Sequence, residues 1–115
     1  MTLVVYGIPN CDTVKKAKTW LDGRGLGFAF HDYRQAGVDA GQLARWCDVL
    51  GWEAVLNRSG TTFRKLSEAE RTGLNQARAV ALMIAQPAMI KRPIVEYDRG
   101  LLVGFKPDQW ATALV

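Results

Sequence analysis

A chain of 115 residues with 49% hydrophobic and 23% charged side chains reads as one soluble globular domain, long enough to bury a core without disulfides or metals. Two cysteines exclude a disulfide framework, and no apolar run is long and unbroken enough to span a bilayer. The net charge of +4 is scattered in ones and twos, densest at Lys15-Lys16-Ala17-Lys18, which is a solvated helix face rather than a nucleic-acid stripe.

The chain runs from Met1-Thr2 straight into Leu3-Val4-Val5-Tyr6, with no basic and cleavable leader, so the expected location is the cytoplasm. That β-branched and aromatic run, closed by Gly7 and Pro9, has the pattern of a buried strand. A helix follows. Val14, Ala17 and Leu21 fall at i, i+3 and i+7 with lysines between them, and Asp12 or Thr13 is expected to supply the capping oxygen. Cys11 then stands at the mouth of the helix, where unpaired N–H groups, the positive end of the dipole and Lys15 and Lys16 favour a thiolate, opposed by Asp12. The plainer alternative is that Cys11 is a small turn residue.

Gly23-Arg24-Gly25 ends this helix, and residues 27–33 read as a second strand. From about Val38 to Ile90 the pattern is helical. Asp39 is placed to cap a helix burying Leu43, Trp46, Cys47 and Leu50, closed by Gly51. A helical turn at residues 52–56 leads to the polar loop Asn57-Arg58-Ser59-Gly60, then a short helix at residues 62–66. Ser67-Glu-Ala-Glu70 has capping-box spacing. Asn75 is placed to cap a helix with Ala77, Val80, Ala81 and Ile84 inward, ended by Pro87. Residues 93–97 and 101–105 form a hairpin about Asp98-Arg-Gly100, and Pro107 opens a last helix with Trp110 and Leu114 inward. Trp20, Trp46, Trp52 and Trp110 all read as core. The order is β-α-β, a helical insertion, then β-β-α, an α/β sandwich of four strands.

Cys47 sits on an apolar stripe and reads as a small core residue, with a resolving thiol as the sharper alternative. His31 with two distant cysteines makes no metal site.

Taken together, Gly7-Ile-Pro-Asn-Cys-Asp-Thr-Val-Lys-Lys-Ala17, Leu56-Asn-Arg-Ser59, Phe63-Arg-Lys-Leu66 and Ile90-Lys-Arg-Pro-Ile-Val95 followed by Gly104-Phe105 resemble the arsenate reductase (ArsC) and Spx family, closest to its YffB-like branch. The resemblance covers nearly the whole chain. It implies a single ArsC-like domain of thioredoxin-like (glutaredoxin-like) fold: a four-stranded mixed sheet from residues 1–34 and 91–115, with a helical insertion at residues 35–90. It also implies a redox role for Cys11, a cis bond before Pro93 and an anion-binding role for Arg92. Arg58 matches the arginine that glutaredoxin-coupled arsenate reductases bring from the insertion. Lys106 stands where their third arginine falls, which argues against arsenate as the substrate. Val14 stands where Spx regulators with a Cys-x-x-Cys switch carry the second cysteine, so no local disulfide can form and Cys11 must exchange with another thiol.

The resulting expectation is a cytoplasmic, monomeric, glutathione-dependent thiol-disulfide oxidoreductase with Cys11 and Arg92 as the catalytic pair. Asn10, Thr13, Lys15, Arg58, Arg92 and Pro93 form the glutathione or substrate site. Glutathione is the reducing co-substrate, with no bound cofactor or metal, and glutaredoxin is a further partner. The substrate is a small oxyanion or a disulfide. The alternatives are an arsenate reductase coupled to glutathione or glutaredoxin, and a non-enzymatic Spx-like regulator that binds RNA polymerase.

Overall fold

The computed structural model describes residues 3–114; Met1 and Thr2, on which the expectation of a start without a leader rests, and Val115 lie outside the described residues. In chain order the elements are β1 (Val4–Gly7), α1 (Asp12–Gly23), β2 (Ala29–Asp32) and α2 (Tyr33–Ala36). Next come α3 (Ala40–Leu50), α4 (Trp52–Val55), α5 (Thr61–Arg64), α6 (Glu68–Arg71), α7 (Gln76–Ala85) and a 3-10 turn, Pro87–Met89. The chain closes with β3 (Ile94–Tyr97), β4 (Gly100–Val103) and α8 (Pro107–Leu114). It divides into two compact units, Met1–Ala36 with Arg92–Val115, and Gly37–Lys91. No helix among the described residues is long and apolar enough to cross a membrane.

The first unit carries the expected thioredoxin-like sheet, four mixed strands in the order β2-β1-β3-β4. β1 runs parallel to β2 and antiparallel to β3, and β3 antiparallel to β4. The 3.6-residue stripe of α1 is realised, with Val14, Ala17 and Leu21 buried. Ala17 and Leu21 join Leu3, Val5, Val95, Leu102, Trp110 and Leu114 in one core cluster. Leu21 is fully buried, which stabilises the fold by about 1.5–3 kcal/mol. The indole N–H of Trp110 is satisfied by the Gly104 carbonyl at 3.1 Å.

Gly7 sets where the strand ends. A Cβ there would stand 2.9 Å from Cγ2 of Val14, so only glycine lets α1 lie this close to β1. The turn that carries Cys11 starts from that contact.

In the second unit, Asp39 caps α3 by accepting from the Gln42 N–H at 3.1 Å. Leu43, Trp46 and Cys47 are buried. α3 packs on α4 and α7. Leu56 bridges Ile90, flanked by Asn57 N–H to the Met89 carbonyl and Lys91 N–H to the Val55 carbonyl, both 2.8 Å. The capping box at Ser67 and Glu70 and the Asn75 cap are both formed.

Several expectations are corrected. The second strand stops at Asp32, and Tyr33 starts a helical turn instead of ending the strand. The short helix after the polar loop is Thr61–Arg64. α7 buries Ala79 and Met83, whereas Ala77 and Ala81 are exposed, Val80 is half-buried and Ile84 is 40% exposed. That helix is apolar nearly all round, so its spacing fits more than one stripe and periodicity selects the wrong one. Trp46 and Trp110 are core, but Trp20 and Trp52 are only half-buried.

Candidate active site

Cys11 is the N-cap residue of α1, in extended conformation with φ −98° and ψ 125°. This corrects the expected cap: neither Asp12 nor Thr13 precedes the helix, and no side chain caps it. The first-turn N–H groups thus present their partial positive charge, without a side-chain acceptor, beside the residue that carries the thiol. The Cys11 N–H donates to the Ile8 carbonyl at 3.3 Å, and its own carbonyl accepts from the Lys15 N–H at 3.0 Å. The residue is partly exposed. Asn10, Thr13 and Lys15 are exposed around it in the turn and first turns of the helix.

Sheet register brings two further residues to the same end. The last β1–β2 pair is Gly7 with Asp32, and Tyr6 pairs with Ile94 on the other side. The positions that continue β1, β2 and β3 past those pairs are therefore Ile8, Tyr33 and Arg92-Pro93. The chain leading to Cys11 is flanked by Tyr33 from one neighbour and Arg92 from the other. The Arg92–Pro93 bond is cis, as the resemblance implies, and the Pro93 carbonyl accepts from the Gly104 N–H at 2.8 Å.

Across that end, the Arg92 guanidinium donates to the Tyr33 hydroxyl. Tyr33 is wholly buried and Arg92 half-buried. Burial pushes the Tyr33 phenol well above its ordinary range; Arg92 pulls it back, and negative charge at Cys11 pushes it up again. Tyr33 therefore stays a neutral hydroxyl within electrostatic reach of both Arg92 and the thiol. Sequence reasoning missed it by treating it as the last residue of a strand. The available signal was a polar-tipped aromatic at the end of the strand beside the cysteine-bearing loop.

Of the other candidates, Arg58 and Cys47 belong to the second unit and Lys106 and His31 to the first. Arg58 is exposed in the second unit, 3.8 Å from Glu53 and 5.7 Å over the Trp52 ring. Such an exposed pair is worth little. Lys106 is exposed. Cys47 is 2% exposed inside α3; burial pushes its thiol up and the neighbouring Asp48 carboxylate adds to this. His31 lies against the Tyr6 ring at 5.0 Å. Among the described residues no three His, Cys, Asp or Glu gather as metal ligands.

One thiol at a helix N-terminus, with a guanidinium fork held nearby by a phenol, suits sulfur nucleophilicity toward an anionic partner. Solved structures share the arrangement's scaffold. The YFFB (PA3664) protein is 56% identical, matching 98% of this chain and 99% of its own, with a TM-score of 0.95. The solution structure of an arsenate reductase (ArsC) related protein from Brucella melitensis is 50% identical, covers 100% and 97% of the two chains, and has a TM-score of 0.79. An uncharacterised Haemophilus influenzae protein is 38% identical over 111 residues, 96% of this chain and 97% of the relative. The ArsC family's sequence profile matches residues 6–113, from the end of β1 almost to the end of α8, and on that match the chain belongs to the ArsC family.

Proposed function

We propose that the protein is a cytoplasmic, glutathione-dependent thiol-disulfide oxidoreductase that works through the single nucleophile Cys11. The observation that carries this reading is the contrast in thiol placement: Cys11 is a partly exposed N-cap residue, while Cys47 is buried. Val14 occupies the position one turn on, so the partner thiol comes from outside the motif.

The Cys11 thiolate attacks one sulfur of a disulfide R–S–S–R′. A Cys11–S–R bond forms, the substrate S–S bond breaks, and R′–S⁻ leaves with the electron pair. A glutathione thiolate then attacks the Cys11 sulfur, releases R–S⁻ and leaves Cys11 glutathionylated. A second glutathione attacks the glutathione sulfur of that adduct, returns the Cys11 thiolate and departs as oxidised glutathione. Two glutathiones are oxidised for each disulfide reduced. Arg92, held by Tyr33, binds a carboxylate of glutathione or an anionic substrate through parallel N–H bonds. Asn10, Thr13, Lys15 and the Pro93 segment complete the site.

Arsenate reduction is disfavoured by Lys106, whose single ammonium replaces a guanidinium fork. The regulator reading, with the insertion docking on RNA polymerase, predicts no turnover by the isolated protein. Intact mass spectrometry after exposure to oxidised glutathione tests the proposal. One adduct mapping to Cys11 and removed by reduced glutathione is the expected result. No adduct, or one on Cys47, would overturn it.

A further inference from the structure

An open groove of about 460 Å³ lies in the first unit, lined by Lys15, Lys16, Thr19 and Trp20 of α1 and by Phe105 and Pro107. Its floor is aromatic: Trp20 and Phe105 meet edge to face at 6.2 Å, and both rest on the buried Trp110, at 5.9 and 4.9 Å. Both are themselves only half-buried, so the cluster keeps an accessible apolar surface. Its rim is cationic. Lys15, Lys16 and the neighbouring Lys106 are exposed and carry no ion pair among the described residues. Arg24 lies over the Trp20 ring at 4.6 Å. The acids nearest in sequence are Asp12, Asp22 and Asp108.

The groove begins one helical turn along α1 from Cys11, at Lys15. Lys15 is the residue whose N–H bonds the Cys11 carbonyl, one helical turn along α1. A ligand chain linked to Cys11 through a disulfide needs only two or three residues to cross that turn, because an extended chain spans about 3.3–3.6 Å per residue.

We propose that this groove is a docking site for the protein whose disulfide Cys11 attacks. Its occupant is an extended acidic segment with one bulky apolar side chain beside the exchanging cysteine. The apolar side chain enters over Trp20 and Phe105, and flanking carboxylates face Lys15, Lys16 and Lys106. The volume suits a side chain with part of its backbone. Glutathione lacks the apolar group, so the aromatic floor, and not Lys15, which both ligands would meet, separates recognition of a protein substrate from recognition of the reductant. This inference deepens the thiol-exchange reading and rests on Cys11 being the nucleophile.

The test uses the full chain and single-turnover exchange without glutathione, so failure of glutathione dependence cannot be mistaken for failure of the groove. Short peptides are presented as 2-thiopyridyl mixed disulfides: Glu-Phe-Cys-Glu, Lys-Phe-Cys-Lys and Glu-Gly-Cys-Glu. Cys11 thiolate attacks the peptide sulfur, the Cys11–peptide disulfide forms, and pyridine-2-thione leaves and is read by absorbance. The acidic phenylalanine peptide should react on the order of tenfold faster than either of the others, as a combined gain of about 1.4 kcal/mol from apolar and charge contacts. The ratio of rates within each variant cancels any change in the thiol's own reactivity. That ratio should fall toward one in Lys16→Glu for charge and in Phe105→Ala for the apolar contact. Phe105 packs on Trp110, so the exposed Lys16 change keeps the test decisive if Phe105→Ala unfolds. Equal rates for the three peptides, or a preference for the acidic over the basic peptide that survives Lys16→Glu, would overturn the proposal. So would phenylpropionate that shifts Trp20 fluorescence as tightly as the reduced peptide, which makes the occupant a small carboxylate. A concentration-dependent dimer abolished by Lys16→Glu would assign the groove to a second copy and also overturn it.

Discussion

Cys11 and Cys47 lie in different units of one small chain, and each is next to an aspartate in sequence. Cys11 is the last extended residue before a helix, partly exposed, facing amides with no side-chain acceptor. Cys47 is inside the α3 helix, whose amides are committed to the helix, and it is 2% exposed beside Leu43 and Trp46 on the same stripe. The residue type is constant between them. Place in the helix and burial differ, and these decide which thiol is open to solvent and which fills a core.

The largest test of that contrast removes each sulfur in turn. Cys11→Ser should reduce exchange to background, since a serine hydroxyl is not ionised near neutral pH and cannot replace the thiolate. Cys47→Ser should retain the glutathione adduct and most turnover. Adduct formation by mass spectrometry and turnover with a small disulfide give both results. If the Cys47 variant instead accumulates the adduct and stops, Cys47 is a resolving thiol and the two environments have been misjudged.

The contrast sharpens at Arg92, which belongs to the Cys11 side alone. Arg92→Ala should weaken glutathione or oxyanion binding by roughly 10- to 150-fold, the worth of about 1.5–3 kcal/mol for charged hydrogen bonds. Lys106→Ala should change it little. Tyr33→Phe should cost about 1 kcal/mol, roughly fivefold in KM with kcat retained, because it frees the guanidinium that the phenol positions. In an Arg92→Ala background the Tyr33 change should have no further effect on KM. Additive losses would show that Tyr33 acts through packing alone.

On the Cys47 side the expected cost is in stability. Cys47→Ser puts a hydroxyl into an apolar site and should lower the unfolding free energy by about 1–3 kcal/mol, read from the denaturant midpoint. An unchanged midpoint would place a polar partner beside that side chain.

How much of this was legible beforehand depends on how local each cause is. Strand, turn, cysteine and helix follow one another within a short stretch, and the caps at Asp39, Ser67 and Asn75 are residue-to-residue bonds three positions apart, so the sequence carries them directly. Cys11 as the candidate nucleophile came from the same local pattern. The cis bond before Pro93 did not; it came from family resemblance. Tyr33 is hidden because its place beside Arg92 depends on sheet register, which puts the two on opposite sides of β1 although the helical insertion separates them in sequence. The buried face of α7 was misread because Ala, Val, Leu, Met and Ile surround the helix, and packing against α3 selects Ala79 and Met83. Trp20 reads as core for a similar reason: an aromatic beside an apolar stripe does not reveal that one edge stays open.

The smallest effect near neutral pH is the stability that depends on two buried acids staying neutral, and it is lost in alkali. The Cys47 thiol is pushed above its ordinary value of 9.0 and the Tyr33 phenol above 10.0, in both cases chiefly by burial. Below those values both groups are protonated whether the chain is folded or not, so their contribution is fully present and flat with pH. As the pH rises past them, the unfolded chain releases the two protons while the folded chain keeps them. The unfolded state then binds fewer protons, and stability falls by up to about 1.4 kcal/mol per pH unit for each group. Urea midpoints measured from pH 7 to 11 should therefore decline in two stages relative to the variants. Cys47→Ser should remove the part that begins near 9.0, and Tyr33→Phe the part that begins near 10.0. A decline identical in all three proteins would mean that both groups ionise in the folded state as freely as in water. Loss of only the Tyr33 part would show that α3 admits water to Cys47, and the contrast between the two cysteines would then rest on the helix terminus and not on burial.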